Sequence, residues 1–153
     1  MFWFRIDNRL IHGQIIEAWL PYTRAKRLFV CNASLFADNL RQQIMRLAVP
    51  ARINVTFLKP EALLASLTHP DTKTDKALVL FADCADARAA YEAGIHFPSL
   101  NIGNMHYAPG KRQLCPHIAL SEYDSACLKR FTADGVILDF RCVPNDIPQI
   151  ADW

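Results

Sequence analysis

Near the start of the chain, the stretch FRIDNRLIHGQ (Phe4 to Gln14) places an aspartate, an arginine and a histidine close together. It begins as an apolar strand and turns polar at Asp7, Asn8 and Arg9. A Leu-Ile pair follows, then His12, Gly13 and Gln14. Apolar spacing places a helix from Gly13 onward, so His12 stands at a helix start. Such a start presents unpaired backbone N–H groups and the positive end of the helix dipole, which together favour an anion, most often phosphate. Gly13 removes a Cβ that would block close approach to the backbone. Arg9 offers a planar, permanently charged fork for phosphate oxygens. Asp7 is placed to orient Arg9 or to hydrogen-bond the imidazole. An ordinary imidazole, titrating near about 6.5, is largely neutral at pH 7 and leaves one ring nitrogen free as a nucleophile. The assembled chemistry is a histidine that accepts a phosphoryl group, with amides and an arginine stabilising the transferred charge. On spacing alone, a lone histidine at a helix start is more often a cap or a structural hydrogen-bonder. No G-x-x-x-x-G-K-[ST] segment occurs, so a P-loop nucleotide site is not supported.

The elements that must position these groups alternate regularly. MFWFRI, KRLFVCN, RINVTFL, KALVLFAD, SLNIG and VILDFRCV read as strands, with KALVLFAD buried on both faces. GQIIEAWLPY reads as a short helix stopped at Pro21. SLFADNLRQQIMRLAVP has helical spacing at Leu35, Phe36, Leu40, Ile44, Leu47 and Ala48, with Ser34 as its N-cap. PEALLASL opens with Pro60 in a helix first turn. ADARAAYEAG is a helix closed by Gly94. SEYDSACLKRFTADG carries a capping-box spacing at Ser121 and Asp124 and closes at Gly135. NMHYAPGKRQL is a loop, CPHIAL is short and extended, and PNDIPQIADW ends the chain. The alternation predicts a three-layer α/β/α domain over residues 1–153 with a mainly parallel central sheet, and an antiparallel strand at its C-terminal edge. Ligands of such sheets bind beyond the carboxyl ends of the strands. Two loops there are chemically loaded: Asp7 to Gly13, and Gly103 to Lys111. The second carries Asn104 and His106, near Tyr107, Lys111 and Arg112. His106 borders the phosphate if the two loops meet, and is otherwise a structural loop histidine.

Composition narrows the classes. The chain has 153 residues, 52% hydrophobic and 21% charged, which suits a globular domain. A net charge of +2 is too small to argue for nucleic acid. No apolar run is long enough to insert into a membrane, and the start MFWFRID does not read as a signal peptide. The five cysteines are widely spaced and form no C-x-x-C pair, which predicts reduced thiols in a cytoplasmic protein and no metal site; no cofactor is expected.

The first motif resembles the signature of IIB subunits of the mannose/fructose/sorbose family of the bacterial phosphoenolpyruvate-dependent sugar phosphotransferase system, R-[IV]-D-[DNS]-R-L-I-H-G-Q-[VI]. LNIGNMHYAPGKRQL is similar to the family's N-[IV]-G-G-M-H followed by G-K-x-Q-[IL], and VILDFRCVPND to its final strand and V-P-x-[DE] ending. The resemblance covers nearly the whole chain. It implies a phosphocarrier in which His12 takes a phosphoryl group from a phosphohistidine IIA protein. The carrier then passes it to a sugar held by the IIC/IID membrane subunits. It further implies that Nδ1 is the acceptor, that Arg9 and Asp7 are the motif arginine and aspartate, and that Gly13 and Gln14 supply amides. A homodimer is compatible with it. Asn8 stands where Asp is commoner, and Asn104 where a second glycine is usual. The alternative from another class is a regulatory or interaction protein that keeps the phosphohistidine switch without sugar transport.

Overall fold

The computed structural model describes residues 1–147 and Trp153; within the tail PNDIPQIADW, residues 148–152 lie outside the described part. The described residues form eight strands and six α-helices: β1 (Phe2–Asp7), a π-helical turn (Ile15–Trp19) running into α1 (Leu20–Thr23), β2 (Arg27–Cys31), α2 (Ala33–Phe36), α3 (Asn39–Leu47), β3 (Asn54–Leu58), a 3-10 turn (Pro60–Ala62) leading into α4 (Leu63–Thr68), β4 (Ala77–Phe81), α5 (Cys84–Glu92), β5 (Ser99–Asn104), β6 (Arg112–Cys115), β7 (Ile118–Leu120), α6 (Glu122–Ala133) and β8 (Ile137–Asp139). Six strands form one sheet in the order β3-β2-β4-β1-β5-β8. Every pairing in it is parallel. Two apolar cores fill its two faces. One sets Ile15, Trp19 and Leu20 against Leu28, Val30, Leu78 and Leu80. The other sets Leu63, Ala87, Leu128 and Phe131 against Phe4, Ile6, Val79, Phe81 and Ile102. This is the expected three-layer arrangement, and β4, buried at all five positions, is its centre.

The first connection leaves β1 for one face while those after β4 and β5 leave for the other. The carboxyl end of β1 therefore lies at a switch point in strand order, where open α/β sheets leave a crevice.

Three expectations are corrected. The strand at the C-terminal edge, β8, is parallel to β5, through Ser99↔Ile137 to Asn101↔Asp139. The full crossover helix α6 returns the chain in its original direction; among the described residues antiparallel pairing is confined to the separate β6–β7 hairpin, whose short connection allows nothing else. The helix after β1 does not stop at Pro21. It runs on to Thr23, because a proline in the first turn of α1 has no N–H to lose, and it ends at Arg24 with a left-handed φ of 53°.

The long helix expected from Ser34 is two helices. Asn32 caps the first, accepting from the Leu35 N–H, and Asp38 caps the second, accepting from the Arg41 N–H. The Gln42 amide donates to the Leu35 and Phe36 carbonyls, both at 2.9 Å, and fixes the joint. Recapping turns the apolar stripe of α3 outward: Leu40, Ile44 and Leu47 are exposed and no residue of α3 is buried. The capping box at Ser121 and Asp124 forms as expected. Gly94 and Gly135 close α5 and α6 with φ of 105° and 88°, conformations that strongly favour glycine.

Candidate functional site

Asp7 ends β1 and is fully buried. A turn then reverses the chain, closed by the Leu10 N–H on the Asp7 carbonyl at 2.9 Å. Leu10 takes a left-handed φ of 56°, which costs about 1–2 kcal/mol for a non-glycine residue. Its side chain is buried in the core beneath α1, and that burial offsets the strain. The reversal carries His12 back over the end of β1. Its Nε2 lies 2.9 Å from Asp7 Oδ2, and the side chain keeps 15% of its surface accessible. A carboxylate only accepts, so Nε2 carries the ring proton and Nδ1 carries the lone pair.

Asp7 gathers two arginines as well. Arg9 donates from its backbone N–H and its Nε to Oδ1, both at 3.1 Å, and from a terminal nitrogen to Oδ2 at 3.2 Å. That same terminal nitrogen donates to Gln14 Oε1 at 2.9 Å. The Arg9 side chain is 37% exposed, so its fork is held from below while one edge faces solvent. Burial by itself would push the Asp7 carboxyl up. The hydrogen bonds from His12 and Arg9 and the charge of Arg5 outweigh it and hold the group well below the usual carboxylate range. Asp7 is thus a fixed anion under the imidazole.

The helix after His12 begins with the Ile15 and Ile16 N–H groups both donating to the His12 carbonyl, at 3.0 and 3.2 Å. The Gly13 and Gln14 N–H groups are left at the helix start without an intrahelical acceptor. A Cβ on Gly13 would meet nothing within 4 Å. What its absence provides is open approach to these amides, not relief of a clash within the chain.

The second loop does reach the first. The Asn8 N–H donates to the Asn104 carbonyl at 3.1 Å, the Asn104 amide donates to Asn8 Oδ1, and Asn8 Nδ2 lies 2.5 Å from His106 Nδ1. The two positions that depart from the family pattern are therefore each other's partners. His106 and Tyr107 stay exposed beside them. Lys111 turns instead to Asp124 of α6, at 3.7 Å.

The sequence reading missed Arg5. This arginine is wholly buried in the sheet and donates to Asp7 Oδ2 at 2.8 Å, to Asn101 Oδ1, and to the carbonyls of Arg141 at 3.3 Å and Cys142 at 3.0 Å. Its guanidinium lies 4.7 Å from the centre of the Trp19 ring, while the Trp19 indole N–H donates to the Cys142 carbonyl at 2.9 Å. Burial pulls the guanidinium below its ordinary value, and the Asp7 charge works against that. The space for it is made by Gly103. The β1–β5 register slips there, pairing Ile6 with Ile102 and then Asp7 with Asn104, and a Cβ on Gly103 would sit 1.8 Å from Arg5 Cζ. The available signal was spacing: Arg5 and Asp7, two apart on a strand, must share a face inside an otherwise apolar run.

Among the described residues, no cluster of histidine, cysteine, aspartate or glutamate could hold a metal ion, and no helix is long and apolar enough to cross a membrane.

A family model described as the sorbose subfamily IIB component of the PTS system matches residues 1–152. The sorbose-specific EIIB component of Klebsiella pneumoniae is 33% identical over 142 residues, spanning 93% of this chain and 87% of that protein. The sorbose-specific EIIB component of Lacticaseibacillus casei is 29% identical over the same shares of the two chains. The crystal structure of the IIBSor domain of the sorbose permease from Klebsiella pneumoniae superposes with a TM-score of 0.90 at 31% identity, covering 97% of this chain and 92% of that one. The family match over nearly the whole chain, the 33% identity and the close superposition agree, and the chain belongs to the sorbose-subfamily IIB components of the sugar phosphotransferase system.

Proposed function

We propose that this IIB component carries a phosphoryl group on Nδ1 of His12, taking it from a phosphohistidine IIA protein at the cytoplasmic face. It gives the group up to a sugar held by IIC/IID membrane subunits. The observation that supports this most directly is the bond from His12 Nε2 to Asp7, which leaves Nδ1 as the nucleophilic nitrogen of a partly accessible ring. In the first step the Nδ1 lone pair attacks phosphorus in line as the donor's N–P bond breaks and its electrons return to the donor imidazole. Asp7 stabilises the positive ring that results. The accessible edge of Arg9 and the Gly13 and Gln14 amides meet the phosphoryl oxygens. In the second step a sugar hydroxyl attacks phosphorus, the N–P bond breaks, and the hydroxyl proton leaves to solvent or a partner base. His12 needs no closing lid, because both partners must reach one phosphorus atom.

Incubation with radiolabelled phospho-IIA tests this. The label should be acid-labile and base-stable and should be absent from the His12→Ala chain, which should still fold. Label that persists in that variant, or that maps to His106, overturns the assignment.

A further inference from the structure

We propose that the outward face of α2 and α3 docks on an anionic lipid surface. Phe36, Leu40, Ile44 and Leu47 are 44%, 68%, 58% and 87% exposed, and Leu40, Ile44 and Leu47 recur at the spacing of one helix face. Isolated exposed apolar residues are ordinary, but three on one face of a helix, with Phe36 at the end of the helix before it, mark a contact site.

The charges around this face are distinctive. Between its caps α3 carries Arg41 and Arg46 and no acidic residue; Arg46 donates to the Val55 carbonyl at 2.9 Å and lies over the Phe57 ring, which leaves Arg41 as the helix's charge for this face. On the other exposed helices each arginine is matched within its own helix or cap, Arg88 to Glu92 at 2.7 Å and Arg130 to Asp134 at 3.1 Å. Lys59 joins the apolar face directly, its Nζ 5.8 Å from the centre of the Phe36 ring, and Arg52 is exposed in the turn after α3. Acids near these helices are Asp38, whose carboxylate accepts from the Arg41 N–H, the exposed Glu61, and Asp86 with its neighbour Asp83 at the start of α2, where Asp86 is buried and bonded to Asn32. Basic residues framing a row of apolar ones match an anionic surface whose interior is apolar, which is what a bilayer of acidic lipids presents.

A second copy of the chain fits less well. A symmetric pairing of α3 would bring the Arg41 of each copy against a helix with no acidic residue to meet it. A nine-residue helix, roughly 13 Å long, also falls well short of the ~800 Å² per partner that a stable interface buries. The contact is therefore weak and reversible, as it must be for a carrier that leaves the membrane to be recharged. Vesicle binding needs neither His12 nor phosphate, so it stands or falls separately from the carrier reading.

The test is co-sedimentation of the whole chain with vesicles of phosphatidylcholine alone and of phosphatidylcholine mixed with phosphatidylglycerol. The chain should sediment with the mixed vesicles, release as salt rises, and bind neutral vesicles far less. Binding should fall roughly tenfold or more in an R41Q/K59Q chain, because each basic residue near such a surface contributes about fivefold, and in an L40S/I44S/L47S chain that loses its inserting side chains. The wild-type lipid and salt series decides the matter even if a variant fails to fold. No binding to mixed vesicles, or equal binding by folded variants, overturns the proposal. So does a concentration-dependent dimer, without vesicle binding, that Ile44→Glu abolishes, which would assign the face to a second copy.

Discussion

His12 Nε2 rests 2.9 Å from Oδ2 of Asp7, and Arg5 donates to the same oxygen at 2.8 Å. One buried carboxylate oxygen thus joins the partly accessible ring to an arginine sealed in the sheet. The imidazole is oriented by the interior of the protein, not by other surface groups that solvent could displace. Anything that disturbs the buried half of this chain of contacts should reach Nδ1 without touching the ring.

Replacing Asp7 with Asn keeps the shape and removes the charge. The transfer rate in a single turnover should fall by roughly 10² to 10⁴, the range expected when a histidine loses the anion that fixes its tautomer. Stability should fall by about 3–5 kcal/mol, since Arg5 is left as a buried cation without its partner. Urea unfolding and quenched-flow transfer separate the two effects. A D7N chain with the wild-type rate would show that the carboxylate does not set the ring.

Gly103→Ala should act at a distance. The added methyl would lie 1.8 Å from Arg5 Cζ, and the guanidinium cannot swing aside without giving up Asp7, Asn101 and two carbonyls. A loss of about 3 kcal/mol or more in urea unfolding is expected, combining overpacking with a broken buried ion pair. Transfer should slow although Gly103 touches no reactant. If the G103A chain melts at the wild-type temperature, Arg5 has another place to go and the packing argument fails.

Arg9→Lys divides stability from chemistry. The Arg9 side chain is 37% exposed, so its ion pair with Asp7 contributes no more than about 1 kcal/mol to folding. A lysine keeps the charge and loses the fork that spans Asp7 and Gln14. Transfer should slow by roughly 10²–10³, equivalent to about 2–4 kcal/mol of transition-state stabilisation. Equal single-turnover rates for the two chains would show that Arg9 only holds Asp7 in place.

The sequence revealed the local part of this site better than its distant part. Asp7, Arg9, His12 and Gln14 are close in sequence and one turn brings them together, so their clustering was legible, but spacing alone did not single out His12 as an acceptor; the family resemblance did. Arg5 was read only as one residue of the first strand, because nothing near it in sequence shows what a buried charge there would meet. Its partners Asn101, Gly103 and Cys142 are about a hundred residues or more away and become neighbours only through strand order. The same limit explains α3. Helical spacing was legible from Leu35 to Leu47, but which side of the helix meets the sheet depends on the cap at Asp38 and on Gln42 bonding back to α2, and neither alters the spacing. The parallel course of β8 likewise depends on α6 being a complete crossover.

Asp86 gives a prediction about pH. Its side chain is buried at the start of α5, where Oδ2 accepts from Asn32 Nδ2 at 2.8 Å and from the Ala82 N–H at 3.1 Å. Burial pushes its carboxyl up to about 6 from the ordinary 3.8; the charge of Asp83 adds to that, and the two hydrogen bonds work against it. A folded-state value above the unfolded one means that the native protein holds this proton more tightly. The resulting stabilisation is fully present below about pH 4 and is lost as pH rises through 6. The shift of roughly two units corresponds to about 3 kcal/mol, to be taken as an order of magnitude. Asp7 works the other way, since its depressed value stabilises the fold at neutral pH and the contribution is lost in acid. A difference between two chains isolates Asp86 from it. In the D86N chain an amide oxygen can still accept both hydrogen bonds while the buried charge is gone. That chain should be more stable than wild type at pH 8, by up to about 3 kcal/mol in urea unfolding, with the advantage shrinking through pH 6 and disappearing near pH 4. An advantage of the same size at pH 4 and pH 8 would mean that packing, not ionisation of Asp86, separates the two chains.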